Sequence, residues 1–184
     1  TALDLDGKIL WQKEVGPIEG RYGYGASPLL YKSLVIVNVD HFGQNYVKAF
    51  DRATGKVVWQ QKRTKWYSFS SPVVAQLAGK DQLLVSGAKT LTSYDPSSGK
   101  PRWTCEGPSN TTAATPVWYE DRVVVTGGDP QTGVRCIRAD GRGDVSDGPC
   151  GPDAKCQSRR TSSPRPGREG AQPLRSRSNL VRHR

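Results

Sequence analysis

The stretch Ala49–Trp59 reads Ala-Phe-Asp-Arg-Ala-Thr-Gly-Lys-Val-Val-Trp, and it carries the pattern from which the fold can be predicted. Two related copies surround it, Leu3–Trp11 upstream and Tyr94–Trp103 downstream. In each copy an aspartate precedes a Gly-Lys pair, and a tryptophan follows the glycine by four positions. The glycines lie at positions 7, 55 and 99, which indicates a repeat of 44 to 48 residues. Self-similarity at such a period is typical of repeat architectures.

A second marker runs between these copies with the same period. Pro28, Pro72 and Pro116 each follow Ser or Thr and precede Leu or Val, and both intervals are 44 residues. After each proline and a short polar turn comes a strand-like run, at 34–39, 82–85 and 122–126. Two interleaved markers with one period predict a genuine structural repeat.

The repeat is predicted to contain four short antiparallel strands. The proline opens a strand where no ladder donor is needed, and β-branched residues continue the sheet. The segment Asp51–Gly55 has the residues of a hairpin turn, with aspartate bonding the backbone ahead and glycine at positive φ. Because one such unit cannot bury both of its faces, units must stack around an axis. We therefore predict an all-β fold, a partial β-propeller of about three four-stranded blades over residues 1–145.

The repeat-defining residues are predicted to be structural, with the three tryptophans packing between neighbouring blades. They are Asp4, Gly7, Trp11, Asp51, Gly55, Trp59, Asp95, Gly99 and Trp103, together with Pro28, Pro72 and Pro116.

These motifs resemble the pyrroloquinoline-quinone-like β-propeller repeat, whose outline is Ala-x-Asp-x-x-x-Gly-x-x-x-Trp. Ala49–Trp59 matches that outline closely, and the copy at 93–103 has serine in place of the alanine. The first copy is one residue shorter in its turn, and a degenerate fourth begins at Cys136–Gly141, with no tryptophan after it. The resemblance covers about residues 1–145.

The resemblance implies one of two functions. The family contains noncatalytic scaffolds of outer-membrane protein assembly and quinone- and calcium-dependent dehydrogenases, both in extracytoplasmic settings. The dehydrogenases typically pair adjacent cysteines beside the cofactor, whereas Cys105 and Cys136 are far apart here. We expect a noncatalytic scaffold that binds a protein or ligand, with no catalytic, cofactor-binding or metal-binding residues assigned. A quinone-dependent alcohol or sugar dehydrogenase is the alternative.

Five other residues or stretches are candidates for chemistry. His41 is predicted to be a solvated loop histidine. Asp129 and the stretch Asp140–Asp144 match no calcium-loop spacing and are expected to be hairpin turns. The segments at 21–25 and 65–69 interleave basic and aromatic residues near the propeller mouth, where ordinary packing is favoured over ligand contact.

The last 38 residues do not follow the repeat. The chain has 27 basic and 17 acidic residues, but residues 147–184 hold nine of the former, three of the latter and no aromatic residue. Residues 146–184 are therefore predicted to be a disordered tail rich in Arg, Pro and Ser. Three explanations remain open: a frame change near Ser146, a natural linker, and a basic arm binding nucleic acid or an acidic partner.

The chain contains no methionine, so we expect it to be a fragment of a longer propeller. No apolar run reaches the 18 or more residues that a membrane helix needs. An incomplete ring exposes apolar blade faces, which predicts self-association or aggregation. Its protein partner is unknown, and nucleic-acid binding is not favoured.

Overall fold

The computed structural model describes residues 1–17, 19, 23–128 and 133–146. These residues form fourteen β-strands in four sheets and contain no helix, as predicted for an all-β fold. The first sheet pairs β1 (Ala2–Leu3) with β2 (Ile9–Trp11); the second is β3 (Leu29–Tyr31), β4 (Leu34–Val39), β5 (Tyr46–Asp51) and β6 (Val57–Lys62); the third is β7 (Val73–Leu77), β8 (Lys80–Gly87), β9 (Thr90–Tyr94), β10 (Pro101–Glu106) and β14 (Gly143–Asp144); the fourth is β11 (Val117–Tyr119), β12 (Arg122–Gly127) and β13 (Gly133–Arg138).

The second, third and fourth sheets are successive blades of a partial propeller. Apart from β14 in the third sheet, strands within each blade follow chain order and pair antiparallel, so hairpins connect them. Each predicted proline lies directly before the first strand of its blade, where no ladder hydrogen bond from its nitrogen is needed. Residues 147–184, which make up all but the first residue of the predicted tail, lie outside those described, so the tail and the division of the chain at residue 146 stay predictions.

The predicted hairpin turn has the expected geometry at Asp51–Gly55. The backbone N–H and the hydroxyl of Thr54 both donate to Asp51 Oδ1, at 2.8 and 2.7 Å. Gly55 has φ +67°, a conformation that costs residues with a Cβ. These hydrogen bonds, above all the one from the Thr54 side chain, lower the pKa of Asp51. The turn therefore sets the register between β5 and β6 locally.

Each repeat tryptophan donates a hydrogen bond to the following repeat. The indole Nε1 of Trp11 donates to the Arg52 carbonyl at 2.8 Å, and that of Trp59 donates to the Pro96 carbonyl at 3.1 Å. Both acceptors come directly after the aspartate of the next turn. The glycine of that turn lies under the indole, since a Cβ on Gly55 would be 2.7 Å from Trp11 Cδ2.

The degenerate fourth repeat completes the same contact for the third tryptophan. Trp103 Nε1 donates to the Ala139 carbonyl at 3.1 Å. Ala139 is structurally equivalent to Arg52. The N–H of Ala139 donates to the carbonyl of Asp121 in a turn, just as the N–H of Arg52 donates to the carbonyl of Ser33. The chain then diverges from the repeat: β14 runs parallel to β10 of the preceding blade, and β13 gains no fourth strand among the described residues.

Two apolar cores lie between the blades. The core between the second and third sheets and the core between the third and fourth sheets each hold one repeat tryptophan, Trp59 and Trp103, at 8% and 1% exposure. The outer side of the fourth sheet, by contrast, exposes Val117, Tyr119 and Val134 by 47 to 74%. Self-association through such a face remains a prediction.

Replacing Gly99 with alanine tests the glycine–tryptophan contact. A Cβ at this position would lie 2.5 Å from Trp59 Cε3, on a backbone with φ +71°. Gly79 has nearly the same φ, +70°, but nothing within 4 Å, so Gly79→Ala measures backbone strain alone. We expect Gly99→Ala to lower the free energy of unfolding by about 1–3 kcal/mol more than Gly79→Ala does, because the indole must shift. Urea denaturation measures both, and equal losses would show that Trp59 accommodates the methyl group freely.

Because of Cys105, the stability of the blade core is expected to depend on pH in the alkaline range. Burial raises the pKa of its thiol from 9.0 to about 11. As pH rises from 9 to 11 the unfolded thiol ionises while the folded one stays protonated, so stability falls across this window. We expect Cys105→Ala to be less stable than the parent chain below this window, and the difference to shrink as pH rises through it. A pH-independent difference in urea titrations would contradict the assignment.

Candidate functional site

The turns of the propeller are divided between two ends of the strands. Antiparallel order brings every second turn to the same end. The segments at 40–45, 63–72, 88–89 and 107–116, which connect β4 to β5, β6 to β7, β8 to β9 and β10 to β11, lie at one end. We call this end the loop face. Its segments are mostly longer than the turns at the opposite end, and two of them carry Phe42, Trp66, Tyr67 and Phe69.

Four aromatic residues from two segments of the loop face form one cluster, here called the aromatic cluster. Trp66 and Tyr67 are stacked with ring centroids 5.8 Å apart. Phe42 contacts both edge-on, at 6.0 and 4.8 Å, and Phe69 lies 5.9 Å from Tyr67. Phe42 is 43% exposed, so the cluster reaches the surface instead of belonging to a blade core.

Lys89 extends the aromatic cluster with a positive charge. Its Nζ lies 4.5 Å from the centroid of Trp66, within cation–π range. The two-residue turn that carries it, Ala88 and Lys89, has φ +51° and +67°, which non-glycine residues adopt only at a cost. The blade therefore holds an exposed lysine over the indole by a strained turn.

A buried ion pair anchors the segments beneath the aromatic cluster. The Arg63 guanidinium donates to both carboxylate oxygens of Asp40, at 2.9 and 3.2 Å, and their side chains are 1% and 0% exposed. Its remaining donors reach the Tyr94 hydroxyl at 3.2 Å and the Gly87 carbonyl at 3.1 Å. Burial lowers the pKa of Arg63, but Asp40 and Tyr94 together outweigh this effect and the pKa is raised. Arg63 and Asp40 directly follow strands of the second sheet, and Arg63 thus joins that sheet to the third.

The prediction for His41 is wrong, because the residue is 6% exposed. Its Nδ1 accepts hydrogen bonds from the N–H groups of Glu19 and Gly43, at 3.1 and 3.0 Å, and its own N–H donates to Asn45. The loop folds back over the imidazole, which sequence polarity did not reveal. His41 is a structural residue of the loop face, since its Nδ1 holds the backbone of Glu19 and Gly43 in place.

The segment at 65–69 contributes Trp66, Tyr67 and Phe69 to the aromatic cluster, whereas residues 21 and 22 of the other predicted segment lie outside those described. Sequence reasoning missed Phe42 and Lys89, which come from other connections. The sequence contains one signal for them: Phe42 and Lys89 both lie in connections that come at the same end of the strands.

The acidic stretch near the end of the described chain binds its own neighbours. Asp140 accepts from Arg138 at 2.7 Å, and Asp144 accepts from the Ser146 N–H at 2.9 Å. Within the described ranges no group of three or more His, Cys, Asp or Glu side chains is arranged to hold a metal ion. These ranges likewise contain no helix with the length and apolarity of a membrane span. Asp129 lies outside the described residues.

Comparison with known proteins identifies relatives of this architecture. The profile of the family described as "Outer membrane protein assembly factor BamB" matches residues 43–151, more than half of the chain. The crystal structure of BamB from Moraxella catarrhalis aligns with TM-score 0.57 and 18% identity over 74% of this chain and 42% of that one. A europium-containing methanol dehydrogenase aligns with TM-score 0.55 and 17% identity over 72% and 25%. No curated protein matches significantly. The chain thus spans less than half the length of either structure.

Proposed function

The chain belongs to the family of BamB-like, pyrroloquinoline-quinone-type propeller repeats, and on this basis we propose that it is part of a noncatalytic scaffold that binds a protein partner at its loop face. The partner we propose is a component of outer-membrane protein assembly, since that is how the matching family is described. The corresponding location is extracytoplasmic. The aromatic cluster is the observation that carries the proposal.

The composition of the aromatic cluster is that of a protein interface. Aromatic side chains and arginine dominate binding hot spots, because large rigid surfaces bury much area at a small entropic cost. Phe42 is 43% exposed, and Lys89 adds a charge over Trp66 at 4.5 Å. A partner that covers this surface would bury apolar area and place an acidic or polar group beside Lys89.

The loop face is also preorganised for binding. Trp66 Nε1 donates to the Thr111 hydroxyl at 3.1 Å, which connects two segments of the loop face. Asn45 Nδ2 donates to the carbonyls of Thr64 and Trp66, which joins the segment at 40–45 to the next. Because these segments are already held in place, binding loses little further conformational entropy.

The alternative function is a quinone- and calcium-dependent dehydrogenase, supported by the structural similarity to a methanol dehydrogenase. The described residues fit that cofactor pair poorly. They contain no group of three or more His, Cys, Asp or Glu side chains placed to hold a metal ion, and Cys105 is buried in a blade core with the pKa of its thiol raised to about 11. We therefore assign no residue of the described ranges to a quinone or calcium site.

Site-specific crosslinking in the full-length parent protein tests the proposal. A photoreactive phenylalanine analogue at Phe42 is expected to form a covalent adduct with one discrete protein, identified by mass spectrometry. The matched control carries the analogue at Ser97, an exposed position in a turn at the opposite end of the blade. With the purified partner, Trp66→Ala is expected to raise the dissociation constant about thirtyfold, which is the size of effect seen at a binding hot spot.

Two results would overturn the proposal. The first is an adduct pattern at Phe42 that equals the pattern at Ser97, because the loop face would then have no preferred partner. The second is alcohol-dependent dye reduction by the full-length parent after addition of quinone and calcium, which would establish the dehydrogenase. Binding through the basic tail predicts instead an affinity for nucleic acid that falls steeply with salt and is lost on deleting residues 147–184.

A further inference from the structure

A cleft of 440 Å³ opens at the end of the blades opposite the loop face, between the third and fourth sheets. Lys80 at the start of β8, Arg102 on β10 and Arg142 between β13 and β14 line it. Its volume falls in the range of about 300–1,000 Å³ that small-molecule sites occupy. It is separate from the aromatic cluster, so it has no part in the function proposed above.

The floor of the cleft is rigid and has no spare hydrogen-bonding capacity. Gln82 Nε2 donates to the carbonyls of Leu77 and Ala139, at 3.1 and 2.9 Å. Gln82 Oε1 accepts from Ser93 Oγ at 2.7 Å and from Trp103 Nε1 at 2.9 Å. All four positions of this buried amide are used, so the polar groups available to a ligand are those of the walls.

The walls carry an excess of positive charge. Asp140, the acidic residue among the lining, is paired with Arg138 at 2.7 Å, outside the cleft. Arg102 is held through its Nη2 by Asp95 at 2.7 Å, and its Nε is closed to solvent. The Arg102 side chain is nevertheless 27% exposed and lines the cleft, so part of it is open to a bound anion.

We propose that this cleft binds the phosphate group of a small phosphorylated molecule. A phosphate oxygen would accept a hydrogen bond from the exposed part of the Arg102 side chain, a charge-assisted bond of the kind that arginine forms with oxyanions. Lys80 and Arg142 would neutralise the remaining charge. The volume beyond the phosphate would hold the rest of the molecule, which distinguishes this ligand from free inorganic phosphate.

Titration calorimetry on the full chain tests the site with two probes, glycerol 1-phosphate and inorganic phosphate, at matched ionic strength set with sodium chloride. Glycerol 1-phosphate is expected to bind more tightly than inorganic phosphate. Arg102→Gln and Arg142→Gln are each expected to raise the dissociation constant for glycerol 1-phosphate about tenfold or more. Lys100→Gln removes an equal charge from an exposed turn position that does not line the cleft, and it should leave the constant unchanged.

Arg142 is exposed, so Arg142→Gln keeps the test valid even if loss of the Arg102–Asp95 bond unfolds the other variant. Absence of binding heat with both probes would overturn the site. An equal loss in Lys100→Gln would overturn it as well, because the effect would then come from overall charge. Equal affinity for the two probes would overturn the assignment of a phosphorylated molecule. Crosslinking at Phe42 is independent of all these outcomes.

Discussion

Trp103→Ala is expected to lower the free energy of unfolding by about 3–5 kcal/mol, the range for truncating a buried aromatic residue. Trp103 is 1% exposed and lies in the core between the third and fourth sheets. Its removal leaves a cavity between two blades, whose rigid sheets cannot collapse to fill it. Chemical denaturation followed by circular dichroism measures the loss without relying on tryptophan fluorescence.

Two matched variants separate packing from hydrogen bonding at this position. Trp103→Phe keeps most of the ring but removes the donations to Gln82 Oε1 and the Ala139 carbonyl. Gln82 Oε1 still accepts from Ser93 Oγ, and the Ala139 carbonyl still accepts from Gln82 Nε2. We therefore expect the free energy of unfolding to fall by only about 1–2 kcal/mol. Trp118→Ala, at a position 44% exposed, should cost about 1 kcal/mol or less. If Trp103→Ala were no worse than Trp118→Ala, the interblade role of the indole would be wrong.

Asp40→Asn is expected to cost about 3–5 kcal/mol, because it leaves the Arg63 guanidinium buried without its counter-charge. Arg63 is 1% exposed and bonds both oxygens of Asp40. The remaining bonds to the Tyr94 hydroxyl and the Gly87 carbonyl do not neutralise the charge. Since the pKa of Arg63 is raised, the guanidinium would lose its contribution only at strongly alkaline pH. Thermal and urea denaturation near neutral pH measure the loss.

The surface pair Arg135–Glu106 is the control for the buried one. Its carboxylate is 70% exposed at 2.8 Å from the guanidinium, so Glu106→Gln should cost less than about 1 kcal/mol. Replacing both buried partners, Asp40→Leu with Arg63→Met, should be less damaging than Asp40→Asn, because no unpaired charge remains. A double variant as unstable as Asp40→Asn would show that packing, and not charge, determines the loss.

The two substitutions with the largest expected losses of stability, at Trp103 and Asp40, lie on either side of the third sheet. They are therefore expected to differ in their effect on partner binding. Asp40 and Arg63 support the segments that carry Phe42 and Trp66, so Asp40→Asn should weaken partner binding as well as stability. Trp103 lies in the other interblade core, away from the aromatic cluster. Partner binding measured on folded Trp103→Phe should therefore remain near that of the parent chain.

The repeat, the all-β fold and the positions of the turns were predictable from the sequence alone. These features depend on local signals: aspartate and glycine define the hairpin at Asp51–Gly55, proline marks the start of a blade, and β-branched runs form strands. The spacing of 44 residues between such signals is visible without any knowledge of contacts. Because each blade repeats the same local chemistry, the pattern predicted how the blades are built.

Which residues of different loops come together could be seen only in the three-dimensional structure. Arg63 donates to Asp40, 23 residues away in the sequence, and Phe42 contacts Trp66. Trp103 donates to the carbonyl of Ala139, in the degenerate repeat whose turn is not followed by a tryptophan. Loop conformation and the stacking of one blade on the next determine such contacts, and neither has a period in the sequence. For the same reason His41 was predicted to be exposed and is buried: a polar loop residue becomes internal when its own segment folds over it.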